Sequence, residues 1–178
     1  MAESAVAHPR GLWPILHTGG PMPYLIDGNN MMARRVGWHR NIQRARRQLL
    51  EELAWFAMTK GVSVSVVFDG APDPFFPDGS RYRGITVFYA MRWSNADERI
   101  KALVERSRDR QTLIVVTSDR TLADYVRRCG VQVISCDQFR CKVEELSARS
   151  DEDRPIFKVE DDLDEWMRYF GVGPEDDP

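Results

Sequence analysis

The sequence predicts an α/β protein: a three-layer α/β/α sandwich around a mainly parallel sheet of about five strands. One observation is that short apolar and β-branched runs alternate with helical periodicities along the chain. A second is the uninterrupted apolar run at 113–116, which is typical of a strand covered on both faces. The 178 residues, 43% hydrophobic and 29% charged, suit one domain of ordinary globular composition.

The predicted elements lie between residues 23 and 148. Strands are expected at about 23–27, 62–68, 85–90, 112–117 and 131–135. Helices are expected over 41–60, from a Ser94 or Asn95 cap to about 107, between Asp119 and Gly130, and from about 137. The segment 70–84 is rich in Pro, Gly and Asp and is predicted to be a loop.

Three segments are expected: an irregular N-terminal arm over 1–22, the α/β domain over 23–148 and an acidic tail over 149–178. Residues 150–178 carry 11 acidic and 3 basic side chains, whereas the whole chain has a formal net charge of −2. The body is therefore basic, which favours polyanion binding. An amphipathic helix is predicted in the tail from apolar residues at helical spacing: Val159, Leu163, Trp166, Met167 and Phe170. An autoinhibitory, a structural and a partner-binding role for this tail remain open.

The cysteines and the apolar runs indicate a cytoplasmic location. No apolar run approaches the roughly 20 residues that span a membrane, and the first residues do not resemble a secretory signal. Cys129, Cys136 and Cys141 lack CxxC spacing and nearby histidines, so we expect free thiols in a reducing compartment and no zinc site.

Acidic residues follow the ends of several predicted strands. Asp27 ends the first strand, Asp69 follows the second and Asp119 follows the fourth, while Asp97 and Glu98 open a helix. The carboxyl ends of parallel strands share one edge of a sheet, so these carboxylates are expected to repel one another there. Two charges about 4 Å apart cost roughly 1 kcal/mol in water and roughly 4 kcal/mol at an effective dielectric of 20. A divalent cation would remove that cost, and oxygen ligands favour Mg²⁺ or Mn²⁺.

Each acid also has a simpler interpretation as a turn or helix-cap residue. Asp27 with Asn30 would suit an ordinary strand-to-helix turn, and Asp119 would suit a helix N-cap. Their recurrence on one edge favours a shared metal site. The histidines, His8, His17 and His39, do not favour a metal-free ribonuclease, since two lie in the arm. Metal ions can instead activate water and stabilise the leaving oxygen of a phosphodiester.

The order of LIDGNN, VVFDG, NADERI and VTSDRTLAD, followed by Gly130-Val131 and Phe139, resembles the YacP-like group of NYN-domain proteins. These proteins have a PIN-like nuclease fold, and the resemblance covers about residues 23–148. It implies metal-dependent ribonuclease chemistry. The resemblance also implies the roles of individual residues. Catalytic and metal-binding roles are implied for Asp27, Asp69, Asp97 and Asp119, and supporting roles for Asn30, Glu98 and Asp124. Glu98 departs from the family pattern, where many relatives have a second aspartate.

A one-signed run of arginines follows the first aspartate, and no acidic residue occurs between Asp27 and Glu51. Arginine binds phosphate bidentately, and an aromatic side chain among arginines can stack on a base. The predicted RNA-binding residues are Arg34, Arg35, Arg40, Arg44, Arg47 and Trp38. Alternatively, the arginines form a solvated helix face and Trp38 packs on the core.

The sequence thus predicts an Mg²⁺- or Mn²⁺-dependent ribonuclease, with endonuclease action favoured. RNA is the expected partner, with mRNA, rRNA and tRNA all open, and the ribosome is a further candidate. Two alternatives remain: a non-catalytic RNA- or ribosome-binding module of the same fold, and a protein-interaction module that acts through the tail helix.

Overall fold

The computed structural model describes residues 23–90 and 94–149, and within them a six-stranded sheet with helices on both faces. The strand order is β3-β4-β2-β1-β5-β6; β3 is antiparallel to β4, and the other pairs are parallel. The strands are β1 Tyr24–Asp27, β2 Val64–Phe68, β3 Ser80–Tyr82, β4 Ile85–Tyr89, β5 Ile114–Val116 and β6 Gln132–Ile134. The helices are α1 Gly28–Ala33, α2 Ile42–Lys60, α3 Ala96–Arg106, α4 Arg120–Arg128 and α5 Cys136–Arg149, with a short 3-10 helix at Trp38–Arg40.

Alternate residues of β1 enter two different cores, as the period of a strand requires. On one face, Leu25 is fully buried in a cluster with Ile100 of α3 and Leu122 of α4. On the other face, the ring of Tyr24 lies 5.3 Å from that of Phe56 in α2 and 5.7 Å from that of Phe139 in α5. The predicted three-layer sandwich is therefore confirmed.

The first strand lies at the centre of the sheet, paired with β2 on one side and β5 on the other. The strands that follow β1 in the sequence are added first on one side of it and then on the other. Open α/β sheets bind ligands in the crevice at the carboxyl ends of the strands where the order changes in this way. Asp27 is the last residue of β1, in register with Val67 of β2. The fold thus places this aspartate at the mouth of the crevice.

Side-chain caps begin the helices that border this edge. Asn41, Asn95 and Asp119 each accept a hydrogen bond from a backbone N–H in the first turn of α2, α3 and α4, respectively. Gly61, in the left-handed conformation at φ 64°, ends α2, as glycine commonly does after a helix. These caps fix where each helix starts relative to the strand end before it.

One local prediction is wrong. The predicted loop 70–84 contains β3, which pairs with β4 through a turn at Arg83 and Gly84 and is the sixth strand of the sheet. Three residues in a Gly- and Pro-rich stretch carry too little periodicity to indicate a strand. Helix α1, which is only six residues long, was not predicted.

The predicted arm over 1–22 and the predicted tail helix lie outside the described residues. By its contacts the chain divides into two units, 1–143 and 144–178. Only residues 144–149 of the second unit are described, and they form the last turns of α5. None of the described helices has the length and apolarity to cross a membrane.

Candidate active site

Asp27 is a buried carboxylate held by three hydrogen-bond donors. Its side chain is only 2% exposed. Oδ1 accepts from the backbone N of Asn30 at 3.1 Å, and Oδ2 accepts from Asn30 Nδ2 at 2.8 Å and from Thr117 Oγ1 at 3.0 Å. Burial raises the pKa of Asp27, while the hydrogen bonds from Asn30 and Thr117 oppose that rise. The position of this carboxylate is therefore set by Asn30 of α1 and by Thr117 at the end of β5.

Asp69 connects the end of β2 with two helix N-termini. Oδ1 accepts from the backbone N of Ala96 at 2.6 Å, and Oδ2 accepts from Asn29 Nδ2 at 2.8 Å. The Asp69 backbone N donates in return to Asn29 Oδ1 at 3.2 Å. Asp69 thereby holds the start of α3, the helix that carries Asp97, at the carboxyl edge of the sheet.

Arg46 of α2 supports the turn that follows Asp69. Its guanidinium lies 5.3 Å from the ring centroid of Phe68 and 5.4 Å from that of Tyr89. From there Nη1 donates to the carbonyl of Ala71 at 3.2 Å, and Nη2 donates to the carbonyl of Asp69. This arginine therefore supports the backbone of the acidic turn.

Thr117 joins Asp27 to Asp119. Its hydroxyl donates to Asp27 and accepts from the backbone N of Asp119 at 3.1 Å. Oδ1 of Asp119 accepts from the backbone N of Leu122 at 2.8 Å, so this acid is also the N-cap of α4. In the described part of the chain, Oδ2 of Asp119 accepts no hydrogen bond.

Asp97, in the first turn of α3, is electrostatically coupled to the other three acids. Partial burial is the largest cause that raises its pKa, and the charges of Asp27, Asp119 and Asp69 raise it further, while Lys101 lowers it. Among the described residues, none donates a hydrogen bond to the Asp97 carboxylate. The four predicted aspartates thus share one electrostatic field.

The acids do not form a closed metal centre of three direct ligands. Within 23–90 and 94–149, no three side chains of His, Cys, Asp or Glu are arranged so that they could hold one metal ion. Mg²⁺, however, usually keeps several waters and needs only one or two carboxylates. The oxygen donors, their mutual repulsion and the unbonded oxygens of Asp97 and Asp119 fit a hydrated divalent cation.

Two predicted supporting acids pair with cations of their own helices. Glu98 is exposed and lies 2.7 Å from Lys101 Nζ, and Asp124 is exposed and lies 3.0 Å from Arg127 Nη1. Each acid pairs with a cation three residues further along its own helix. Asn30, the third supporting residue, donates twice to Asp27.

The predicted RNA-binding residues differ in their surroundings. Arg35 pairs with Glu52, and Arg47 lies 4.0 Å from the buried Asp73 and above the ring of Phe75. Arg40 and Arg44 are exposed. Arg34 lies 3.6 Å from Asp137. Trp38 is half-buried and meets His39 edge to face at 6.3 Å.

Three residues that shape the site are absent from the predicted set: Asn29, Arg46 and Thr117. Asn29 stands in LIDGNN beside the predicted Asn30, and the doublet is the only signal for it. Thr117 is recognisable as a hydroxyl at the end of a strand, two residues before Asp119. Arg46 has no signal of its own, since it lies among other arginines of one helix.

The comparisons with known proteins agree with this fold. The model of the YacP-like NYN domain family matches residues 24–166. A crystal structure of a point mutant of Rae1 (YacP) from Bacillus subtilis aligns with a TM-score of 0.62 and 23% identity, covering 86% of each chain. Another crystal structure of Rae1 (YacP) from the same organism aligns with a TM-score of 0.57 and 23% identity, covering 84% of each chain. No curated protein sequence matches the chain.

Proposed function

Because the chain belongs to the YacP-like NYN domain family, we propose that it is a ribonuclease that hydrolyses RNA phosphodiester bonds with Mg²⁺ or Mn²⁺, as an endonuclease. One observation carries this proposal: Asp97 lies in the combined field of Asp27, Asp69 and Asp119 at the carboxyl edge of the sheet. A nuclease fold with acids gathered at this edge suits metal-assisted phosphodiester hydrolysis. Cys129, Cys136 and Cys141 are free thiols, which supports a cytoplasmic location.

The four aspartates would hold a hydrated cation, in part through its waters, with Asp97 and Asp119 offering the oxygens that no described residue engages. When bound, such a cation activates water and neutralises charge that develops on the leaving oxygen. The chain's own contribution is orientation. Asn30 and Thr117 fix Asp27, while Asn29 and Arg46 fix Asp69.

The exposed arginines near the start of α2 would bind the RNA backbone. Arg40 and Arg44 are the best candidates, since they are exposed and no described acid pairs with them. Arg35 and Arg47 are already engaged with Glu52 and Asp73, so their contribution to phosphate binding is expected to be smaller. Arg34 and Trp38 complete the proposed RNA-contacting set.

A second candidate function is an RNA- or ribosome-binding module that does not cleave. The observation in its favour is that no three metal-ligating side chains come together within the described residues. Binding without turnover under any divalent cation would establish this alternative.

The decisive experiment incubates labelled structured and unstructured RNAs with the protein under Mg²⁺, Mn²⁺ or EDTA. Asp119→Asn is the most informative variant, because asparagine also caps helices well and should keep α4 intact. We expect this variant and Asp97→Asn to lose at least about a hundredfold in rate, as removal of a group that stabilises transition-state charge does. Asp27→Asn is purified and tested in the same way, and cleavage that persists in this variant would reveal a contaminating nuclease.

The matched control is Asp109→Asn, which changes the charge equally. Asp109 is exposed in the connection that precedes β5, at the opposite edge of the sheet, so its variant should cleave as the parent does. Undiminished metal-dependent cleavage by purified Asp97→Asn and Asp119→Asn would refute the proposed site.

A further inference from the structure

A cleft of about 470 Å³ opens beside Asp119, where β5 and β6 end and α4 and α5 begin. Among its described lining residues, only Ala123 and Val133 are apolar, and none is aromatic. A pocket for a drug-like or cofactor-like molecule is lined mainly by apolar and aromatic groups. This cleft therefore fits a polar ligand.

The neutral side-chain acceptors that line the cleft already accept hydrogen bonds within the protein, whereas Oδ2 of Asp119 accepts none from the described residues. Ser118 Oγ accepts from the backbone N of Cys136 at 3.1 Å. Ser135 and Gln138 cap α5 reciprocally, since Ser135 Oγ accepts from the Gln138 N at 3.1 Å and Gln138 Oε1 accepts from the Ser135 N at 2.9 Å. The hydroxyl proton of Ser135 and the amide NH₂ of Gln138 remain as donors, whereas the Ser118 hydroxyl is hydrogen-bonded to the Cys136 side chain.

Three aspartates and three arginines line the cleft, and the arginines differ in whether a described acid pairs with them. Asp124 and Asp137 are paired with Arg127 at 3.0 Å and Arg34 at 3.6 Å. Arg120, the first residue of α4, is exposed and forms no ion pair within the described residues. Since α4 and α5 both start at the cleft, their backbone dipoles add to its preference for negative charge.

We propose that this cleft binds the ribose–phosphate backbone of the RNA nucleotide next to the scissile phosphate. Free donors and the unpaired Arg120 match phosphate oxygens and ribose hydroxyls, whereas base binding on single strands relies on aromatic stacking. Such backbone contacts position a strand without reading its sequence. The inference rests on the proposed ribonuclease function and assigns one side of the RNA path.

The test uses the full-length protein and two short fluorescein-labelled single-stranded RNAs of different sequence. Affinity is measured by anisotropy in EDTA over a range of salt concentrations, and cleavage is measured separately under Mg²⁺. Arg120→Gln should weaken binding about tenfold on both RNAs, as expected for a lost charged hydrogen bond. The slope of log affinity against log salt should also fall by about 0.7 for each lost phosphate contact.

A second variant separates the cleft from general charge effects. Gln138→Glu keeps an acceptor for the Ser135 N and so preserves the cap, but it replaces the outward amide donor with a carboxylate. We expect it to weaken binding while its melting temperature is unchanged or higher. Two controls lie outside the cleft with the same charge changes: Arg128→Gln on α4 and Gln111→Glu before β5.

The outcomes distinguish the two proposals. If the parent protein binds and cleaves RNA but both cleft variants behave like their controls, the cleft assignment is wrong and the nuclease proposal stands. A loss confined to one RNA sequence would overturn backbone binding in favour of base recognition. If the parent protein binds neither RNA, the proposed function itself fails and the cleft assignment falls with it.

Discussion

Thr117 donates a hydrogen bond of 3.0 Å to Oδ2 of Asp27, 90 residues away in the sequence and one strand away in the sheet. The same hydroxyl accepts from the backbone of Asp119 at 3.1 Å. A single oxygen therefore sets the relative positions of two of the four acids. The signal for Thr117 in the sequence is its position at the end of a strand, two residues before Asp119.

Replacing Thr117 with valine should impair catalysis more than folding. The substitution keeps the shape but removes one of three donors to Asp27 and leaves the Asp119 N–H without its partner. We expect kcat to fall about tenfold, which corresponds to one hydrogen bond to a charged group. The acid limb of the rate profile should move to higher pH, since Thr117 lowers the pKa of Asp27. Thr121→Val, at an exposed position of α4, is the control; an unchanged kcat in Thr117→Val would refute this role.

Asp97→Asn should raise thermal stability at neutral pH while it reduces cleavage. The pKa of Asp97 is raised in the folded protein by burial and by three carboxylates. The folded state thus favours the protonated form, and that contribution to stability is lost as pH rises through the raised pKa. At neutral pH the ionised side chain destabilises the fold, so its removal should raise Tm by about 2 °C, a modest gain because the side chain is partly exposed.

The pH dependence of that gain is the check. Calorimetry of both proteins should show the difference in Tm shrinking as pH falls towards about 4, the usual range for an aspartate. If Asp97→Asn were less stable than the parent at neutral pH, or if its gain in Tm grew as the pH fell, the claim that neighbouring carboxylates raise the pKa of Asp97 would be contradicted.

Arg46→Lys should disturb Asp69 although it preserves the charge. Lysine cannot reach both the Asp69 and Ala71 carbonyls with a planar fork, nor fill the space between Phe68 and Tyr89 as a guanidinium does. We expect kcat to fall about tenfold with little change in KM, together with a loss of about 1–2 kcal/mol in unfolding free energy. Arg128→Lys on the exposed face of α4 is the control. Equal kcat in the two variants would show that Arg46 is a stability residue only.

Gly28→Ala should destabilise the fold through one close contact. A Cβ at this position would lie 2.5 Å from Cδ1 of Phe68 and 2.9 Å from the carbonyl oxygen of Val67. Overpacking of this kind costs about 1–3 kcal/mol, which denaturant titration can measure. Phe68→Leu should restore part of the loss in the double variant, since it removes the ring that clashes. Additive losses in the double-mutant cycle would count against this contact.

The strand ends and their acids could be predicted from the sequence because both depend on local signals. Apolar runs end at Asp27 and Asp69, and parallel strands bring their carboxyl ends to one edge. The contacts of the Arg46 side chain could not be predicted in this way. Arg46 lies on α2, whereas the rings that its guanidinium contacts, Phe68 and Tyr89, belong to β2 and β4. The pairing of Glu98 with Lys101 was also hidden, since a helical acid can face either the crevice or a neighbour on its own helix.

The four acids differ in how much of the fold depends on them. Asp27 and Asp69 connect strands and helices through several hydrogen bonds. The Asp97 carboxylate accepts no hydrogen bond from the described residues. Asp119 caps a helix, and a neutral asparagine or serine could do the same. A protein with this architecture should therefore be able to lose the carboxylates at positions 97 and 119 and still fold. Relatives that only bind RNA should be recognisable by neutral residues at these two positions, with the other two aspartates retained.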